Sequence, residues 1–202
     1  GNLIKLIATD GHRLAYISAK LDVEHPKREV ILSRKTVNEL FKLLNDSDEK
    51  IKLEIAEKQV KISFSDITLF SKVIDGKFPD YDRVIPNYTN HLTLDRQTIL
   101  QALQRAAILS NEKFRGVRFI MTEKNMRIIS SNTEQEEAQE DIENEYHGPA
   151  LDIGFNVNYL LDGLSNTSIQ EVTFSFGDSN SSILITLPGN EDFKYVVMPM
   201  RI

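Results

Sequence analysis

Asn2-Leu3-Ile4-Lys5-Leu6-Ile7 and Asn125-Met126-Arg127-Ile128-Ile129 begin two stretches that lie on one another without a gap, to Ala15 in the first and Ala138 in the second. Both alternate apolar and polar residues, the mark of a strand with one buried face. The likeness continues downstream. Residues 29–73 and 151–197 each read as strand, helix and three strands, at similar length. An internal repeat of this kind has to be read before a fold is assigned. The second copy has a strand, a helix and another strand ahead of Asn125, and the first has nothing ahead of Asn2. The first copy is therefore expected to begin mid-domain. That reading makes the chain a fragment, with a partial domain over 1–87 and a complete one over 88–202.

Within the first copy, Asn2–Ala8 and Arg13–Ala19 read as strands around Asp10-Gly11, a strong hairpin-turn signal. Glu29–Leu32 reads as a short strand, and Ser33 as the N-cap of a helix whose apolar face is Val37, Leu40, Phe41 and Leu44. Asn45-Asp46-Ser47-Asp48 should end it. Strands are expected over Lys50–Ala56, Gln59–Ser65 and Thr68–Ile74. In the second copy Leu92–Leu94 is a strand and Asp95 caps a helix buried through Ile99, Ala102, Leu103 and Ala106, ending near Ser110-Asn111. Strands follow over Val117–Met121 and Asn125–Ser131, then a run of acids from Glu134 to Glu145. Leu151–Phe155 is a strand, and Asn156 caps a helix buried through Val157, Leu160, Leu161 and Leu164. Glu171–Phe176, Ser182–Leu187 and Lys194–Val197 complete the unit. The order predicts an α+β fold, with two helices per domain on one side of a curved antiparallel sheet.

Composition limits the function classes. The 202 residues are 41% hydrophobic and 27% charged, with no apolar run of membrane-spanning length. There is no cysteine, which removes thiol nucleophiles, thiolate metal sites and disulfides together. With no charged-then-apolar leader in view, a reducing cytoplasm is the expected location. A net charge of −6 argues against a uniformly basic DNA-binding domain. The helices nevertheless run the other way: Arg34, Lys35 and Lys42 stand against Glu39 in one, and Arg96 and Arg105 against no acid in the next. A positive helical layer fits a surface that faces phosphates without gripping them. The alternative is an ordinary solvated helix face.

The chain ends Tyr195-Val196-Val197-Met198-Pro199-Met200-Arg201-Ile202. Pro199 lacks an N–H and restricts Met198 to extended backbone, so a strand ladder should fail there. The sulfur-rich tail beyond it either closes a core or walls a binding cleft.

Four segments closely resemble the bacterial sliding-clamp family, the beta subunit of DNA polymerase III. They are Ala8-Thr9-Asp10-Gly11-His12-Arg13-Leu14-Ala15, Asp75-Gly76-Lys77-Phe78-Pro79-Asp80-Tyr81, Ala106-Ala107-Ile108-Leu109-Ser110-Asn111-Glu112-Lys113-Phe114-Arg115-Gly116-Val117-Arg118, and Tyr195 to Arg201. The resemblance spans the chain as the later part of a middle domain and a whole C-terminal domain. It implies a non-catalytic processivity factor: a head-to-tail dimeric ring whose helices line a hole around duplex DNA. It also implies a cleft between those domains in which short peptides dock. The partners implied are the polymerase alpha subunit, the clamp-loader delta subunit, other polymerases and repair proteins. No membrane partner is implied.

By resemblance the cleft involves Thr9, Gly11, His12, Arg13, Leu14, Pro79, Arg83, Val84, Tyr159, Ser182, Val196, Met198, Pro199, Met200 and Arg201. Arg34, Lys35, Lys42, Arg96 and Arg105 would face DNA. Ile108, Leu109, Lys113 and Arg115 would form the subunit contact, and a fragment without its first domain is expected to be monomeric. An apolar groove with methionine walls and a few arginines does suit an extended peptide. The rival class is a generic peptide-binding α+β module without DNA encirclement. A hydrolytic site at Asp10, His12 and Arg13 lacks any nucleophile or phosphate-cradling motif. No metal or cofactor is expected, since the four histidines are scattered and the acidic run lacks calcium-loop spacing.

Overall fold

The computed structural model describes residues 1–44 and 49–202, so the helix stop expected at 45–48 lies outside the described residues. The chain opens with strands β1 (Leu3–Thr9) and β2 (Arg13–Lys20), then helix α1 (Arg34–Leu43) and strands β3 (Lys52–Ile55), β4 (Gln59–Phe64) and β5 (Ile67–Lys72). After a short 3-10 turn at Tyr81–Arg83 come β6 (Asn90–Asp95), α2 (Arg96–Ile108), β7 (Gly116–Met121), β8 (Asn125–Ser131) and β9 (Glu137–Glu143). The last elements are β10 (Leu151–Asn156), α3 (Val157–Ser165), β11 (Glu171–Phe176), β12 (Ile183–Leu187) and β13 (Asn190–Val197). They sort into two compact units, residues 1–2 with 23–80 and residues 3–22 with 81–202.

In the first unit Ser33 caps α1, its Oγ accepting from the Thr36 N–H at 3.1 Å. The antiparallel sheet β3-β4-β5 presents Val60, Ile62 and Phe64, every second residue of β4, to Leu40, Leu43, Val30, Leu32, Ile55 and Val73. Two expectations need correcting. The strand at 29–32 is a single bridge, Ile31 to Ile74, because only Ile31 meets a partner past the end of β5. The helix also turns a different face inward. Leu40 and Leu43 meet the sheet, while Val37 is half exposed and Phe41 is 79% exposed.

The second unit has two antiparallel sheets, ordered β1-β2-β13-β12-β11-β6 and β10-β7-β8-β9. Sequence order predicted one sheet. Instead α2 and α3 pack on each other, with α2 against β6, β8 and β9 and α3 against β10 and β13. Strand alternation supplies the core between them. Val117, Phe119 and Met121 of β7, Met126 and Ile128 of β8, and Ile153 and Phe155 of β10 meet Ile99, Leu103, Leu160 and Leu164 of the helices. Burial of these large apolar side chains, at about 1.5–3 kcal/mol each, is the main favourable term.

The repeat holds in element order and not residue by residue. Thr9 faces Leu14 across residues 10–13, whereas Ser131 faces Glu137 across residues 132–136. One extra loop residue moves the following strand to the opposite face, so a gapless superposition fails at the turn. The acidic run forms β9, the edge of the four-stranded sheet, where charge discourages pairing with another chain.

Candidate functional site

The turn between β1 and β2 is built from its own side chains. Gly11 takes φ +88°, a conformation that disfavours a Cβ. Asp10 Oδ1 accepts from the N–H groups of His12 and Arg13 at 3.0 and 3.1 Å, and Thr9 Oγ1 donates to the Arg13 carbonyl at 2.7 Å. Burial alone would raise the Asp10 carboxyl pKa. The bonds from His12 and Arg13 outweigh it and hold the group below its usual range. Asp10 therefore shapes the turn, which accounts for the Asp10, His12, Arg13 grouping without chemistry.

Alternation along β2 sends neighbours to opposite faces. Arg13 points to the helix side. Its Nε donates to Asp10 at 3.1 Å, and its Nη1 donates to Asp162 Oδ2 at 2.5 Å and to Tyr195 Oη at 3.3 Å. The guanidinium lies 4.5 Å from the Tyr159 ring centroid, and His12 stacks on the same ring at 6.3 Å. Burial works against the Arg13 charge, but the bonds to Asp162, Tyr195 and Asp10 raise its pKa above the usual value. Asp162 and Tyr195 escaped the sequence reading. Asp162 was legible in principle, one helical turn beyond Tyr159 on α3.

Leu14 and Val196 point the other way. They are opposite each other in the β2–β13 ladder and form, with Tyr16, a second small cluster on the outer face of the six-stranded sheet. Ile7, Leu184, Tyr81 and Ile85 pack against it, so Leu14 and Val196 are a buried floor and not an open contact surface. Arg83 and Val84 belong to the segment that brings Tyr81 and Ile85 there, and Val84 is exposed. The Ser182 carbonyl accepts from Tyr88 Oη at 2.8 Å. Pro79 lies in the other compact unit.

Beyond β13 the ladder stops at Val197, as Pro199 requires, but the tail is not partnerless. The Met198 N–H donates to the His12 carbonyl at 2.8 Å and the Met200 N–H to the Gly154 carbonyl at 2.9 Å. Ile202 sits over Gly116 and Gly154. The tail thus leads from β13, an interior strand of the six-stranded sheet, to β10, the edge strand of the four-stranded sheet, leaving Met198 46% exposed and Pro199 and Met200 partly so. Two concavities of about 570 and 360 Å³ lie elsewhere, around Thr186–Lys194 and Pro149–Asp152, and neither is lined by Leu14, Val196 or Met198. Among the described residues no cluster of His, Asp or Glu could hold a metal ion, and no helix is long and apolar enough to cross a membrane.

The positive helix residues divide. Arg34 and Lys35 are exposed, and Lys42 bridges Glu39 at 2.9 Å. Arg105 forks onto Glu140 with two 2.7 Å bonds, and Arg96 donates to the Leu164 carbonyl near the end of α3 and to the Ile169 carbonyl beyond it. At the end of α2, Ile108 is 76% exposed, Leu109 is half-buried, and Lys113 lies over the exposed Phe114 ring. Arg115 takes φ +51°, its carbonyl accepting from the Val157 N–H at 2.7 Å.

Comparison with known proteins agrees along the whole chain. Residues 1–80 match the central domain and residues 82–201 the C-terminal domain of the DNA polymerase III beta subunit. The beta sliding clamps of Pseudomonas aeruginosa and Escherichia coli are 44% and 42% identical over the full chain, which spans 56% of each. A crystal structure of the P. aeruginosa DNA polymerase sliding clamp superposes with a TM-score of 0.95 at 43% identity, covering all of this chain and 56% of that one. Another, of the same organism's clamp bound to griselimycin, gives 0.94. The chain belongs to the DNA polymerase III beta subunit family.

Proposed function

We propose that this chain is part of a processivity factor, a sliding clamp without chemistry of its own. The whole protein would close around duplex DNA as a head-to-tail dimeric ring and tether the replicative polymerase in the cytoplasm. The observation that carries this reading is the terminal tail. Residues 198–200 are fixed by backbone bonds to His12 and Gly154, yet Met198 remains half exposed beside the His12–Tyr159 stack. A preorganised, sulfur-rich apolar ledge suits capture of a short extended peptide.

The middle domain is assigned to 1–87 and the C-terminal domain to 88–202, close to the family matches. Thr9, Gly11, His12, Arg13, Tyr159, Met198, Pro199, Met200 and Arg201 are assigned to the docking cleft, with Leu14 and Val196 as its floor. Arg83, Val84 and Ser182 complete it. Its ligands would be the polymerase alpha subunit, the clamp-loader delta subunit, and other polymerases and repair proteins. Ile108, Leu109, Lys113 and Arg115 are assigned to the ring contact, and Arg34, Lys35, Lys42, Arg96 and Arg105 to the DNA side.

Fluorescence anisotropy of a labelled Gln-Leu-x-Leu-Phe pentapeptide tests the cleft. Saturable binding that weakens in a Met198→Ala, Met200→Ala variant supports it; undiminished binding by that variant removes the tail from the site. A peptide-binding module without DNA is the second reading, favoured by the engagement of Arg96 and Arg105 within the chain. Retention of the whole protein on circular DNA, lost on linearisation, separates the two.

A further inference from the structure

The outer face of the six-stranded sheet carries a further arrangement, beside the Leu14 and Val196 floor. Tyr16 is nearly buried in the floor with Leu14 and Val196, and its ring lies 6.1 Å from that of Tyr81. Two amines approach these rings from the strands on either side of β2. Lys194 of β13, directly opposite Tyr16, lies 5.4 Å from its ring centroid; Lys5 of β1 lies 5.8 Å from both rings and donates to Tyr81 Oη at 3.5 Å. Among the described residues no carboxylate is within ion-pair distance of either amine. Asp192, on the same face of β13, accepts from Ser18 Oγ at 2.6 Å, and Asp82 acts on Lys5 only as a minor, through-space charge.

The chain has 30 acids against 24 bases, so two neighbouring amines without an acid partner go against its composition. Lysine stems lying over tyrosine rings would by themselves be ordinary surface packing. Two like charges converging on one aromatic pair repel each other, and an anion placed between them relieves the repulsion. Its neighbours fix which anion fits. Lys194 is two residues before Val196 and Lys5 two before Ile7, so the amines border the apolar floor on the same face.

We propose that Lys5 and Lys194, held over Tyr16 and Tyr81, receive an acidic side chain of the peptide that docks on this face. The inference rests on the peptide-docking reading above and names a specificity element of that site. A carboxylate on a peptide anchored by apolar side chains would reach both amines, whereas the tyrosine rings favour the amines' charge from below.

The test compares end-capped Gln-Leu-x-Leu-Phe peptides extended by Glu or by the neutral isostere Gln, at one end or the other, by anisotropy at low and high salt. At one end the Glu peptide should bind about threefold tighter than its Gln partner, as expected for an exposed charge contact, with the difference shrinking in salt. In a Lys5→Gln, Lys194→Gln variant that difference should vanish while the Gln peptide binds as before. Equal binding of Glu and Gln peptides at both ends overturns the inference and leaves the docking reading standing. Failure of every peptide to bind removes the docking reading and the inference with it. A variant that keeps the Glu preference but loses affinity for a duplex oligonucleotide would reassign the cluster to nucleic acid.

Discussion

The Met200 N–H donates to the Gly154 carbonyl at 2.9 Å, and a Cβ built on Gly154 would meet the Met200 carbonyl at 2.6 Å and the Ile202 side chain at 2.7 Å. The obstruction is backbone, so it cannot be relieved by a rotamer change. Gly154→Ala should therefore displace the tail at a cost of about 1–3 kcal/mol. Gly116 is the control: its Cβ would meet only the flexible end of Ile202, at 3.1 Å, and Gly116→Ala should melt close to the parent. Hydrogen exchange at the Met200 amide reads the difference. Protection retained in Gly154→Ala would refute the close approach.

Much of this architecture was legible because period and capping act locally. Ser33, Asp95 and Asn156 stand where a side-chain oxygen must meet an open N–H, and all three cap their helices. Pro199 marks the end of the last ladder because it has no N–H to give. What stayed hidden depends on which faces meet in space. Alternation shows that Arg13 and Leu14 point apart, but not that Leu14 is roofed by Tyr81 and Ile85 or that Arg13 is held by Asp162 and Tyr195. Nor does helical spacing say that α1 buries Leu40 and Leu43 and leaves Phe41 out. The Glu140 fork on Arg105 was equally invisible, since an acidic strand and a basic helix are read separately until they pack.

The edge strand supplies a pH prediction. Asp141 accepts from Asn125 at 2.6 Å, Gln139 at 2.8 Å and Arg127 at 2.9 Å, and these bonds lower its pKa from 3.8 to about 2. A depressed folded-state pKa means that the contribution to stability is complete above about pH 4 and is lost as pH falls through about 2. NMR titration of the Asp141 carboxyl should give a midpoint near the lower value. Arg127→Gln should move it upward; a midpoint already near 3.8 in the parent would mean that the cluster does not form in solution.

Ile108 offers a separation of fold from assembly. It is 76% exposed at the end of α2, whereas Leu103, five residues earlier on the helix, is fully buried. Ile108→Asp should leave the denaturation midpoint of this chain within about 0.5 kcal/mol of the parent, and Leu103→Ala should cost about 2–5 kcal/mol. Large destabilisation by Ile108→Asp would show that the residue serves the fold, and would withdraw it from the proposed ring contact.

The hold on Arg13 can be divided by magnitude. Its side chain is 27% exposed but that of Asp162 is 58% exposed, so solvent screens the ion pair despite its short distance. Tyr195 is nearly buried; its hydroxyl donates to the Tyr159 carbonyl at 2.9 Å while accepting from Arg13. Removing that hydroxyl leaves a carbonyl and a guanidinium each short of a partner. Tyr195→Phe should therefore cost about 1–2 kcal/mol, and Asp162→Asn about 0.5 kcal/mol or less. Arg13→Lys keeps the charge but cannot fork to Asp10, Asp162 and Tyr195 together, so it should resemble Tyr195→Phe. Urea denaturation of the three variants at two salt concentrations decides it. If Asp162→Asn proves the costliest and its effect disappears in salt, the ion pair, not the tyrosine hydroxyl, holds the hairpin to α3.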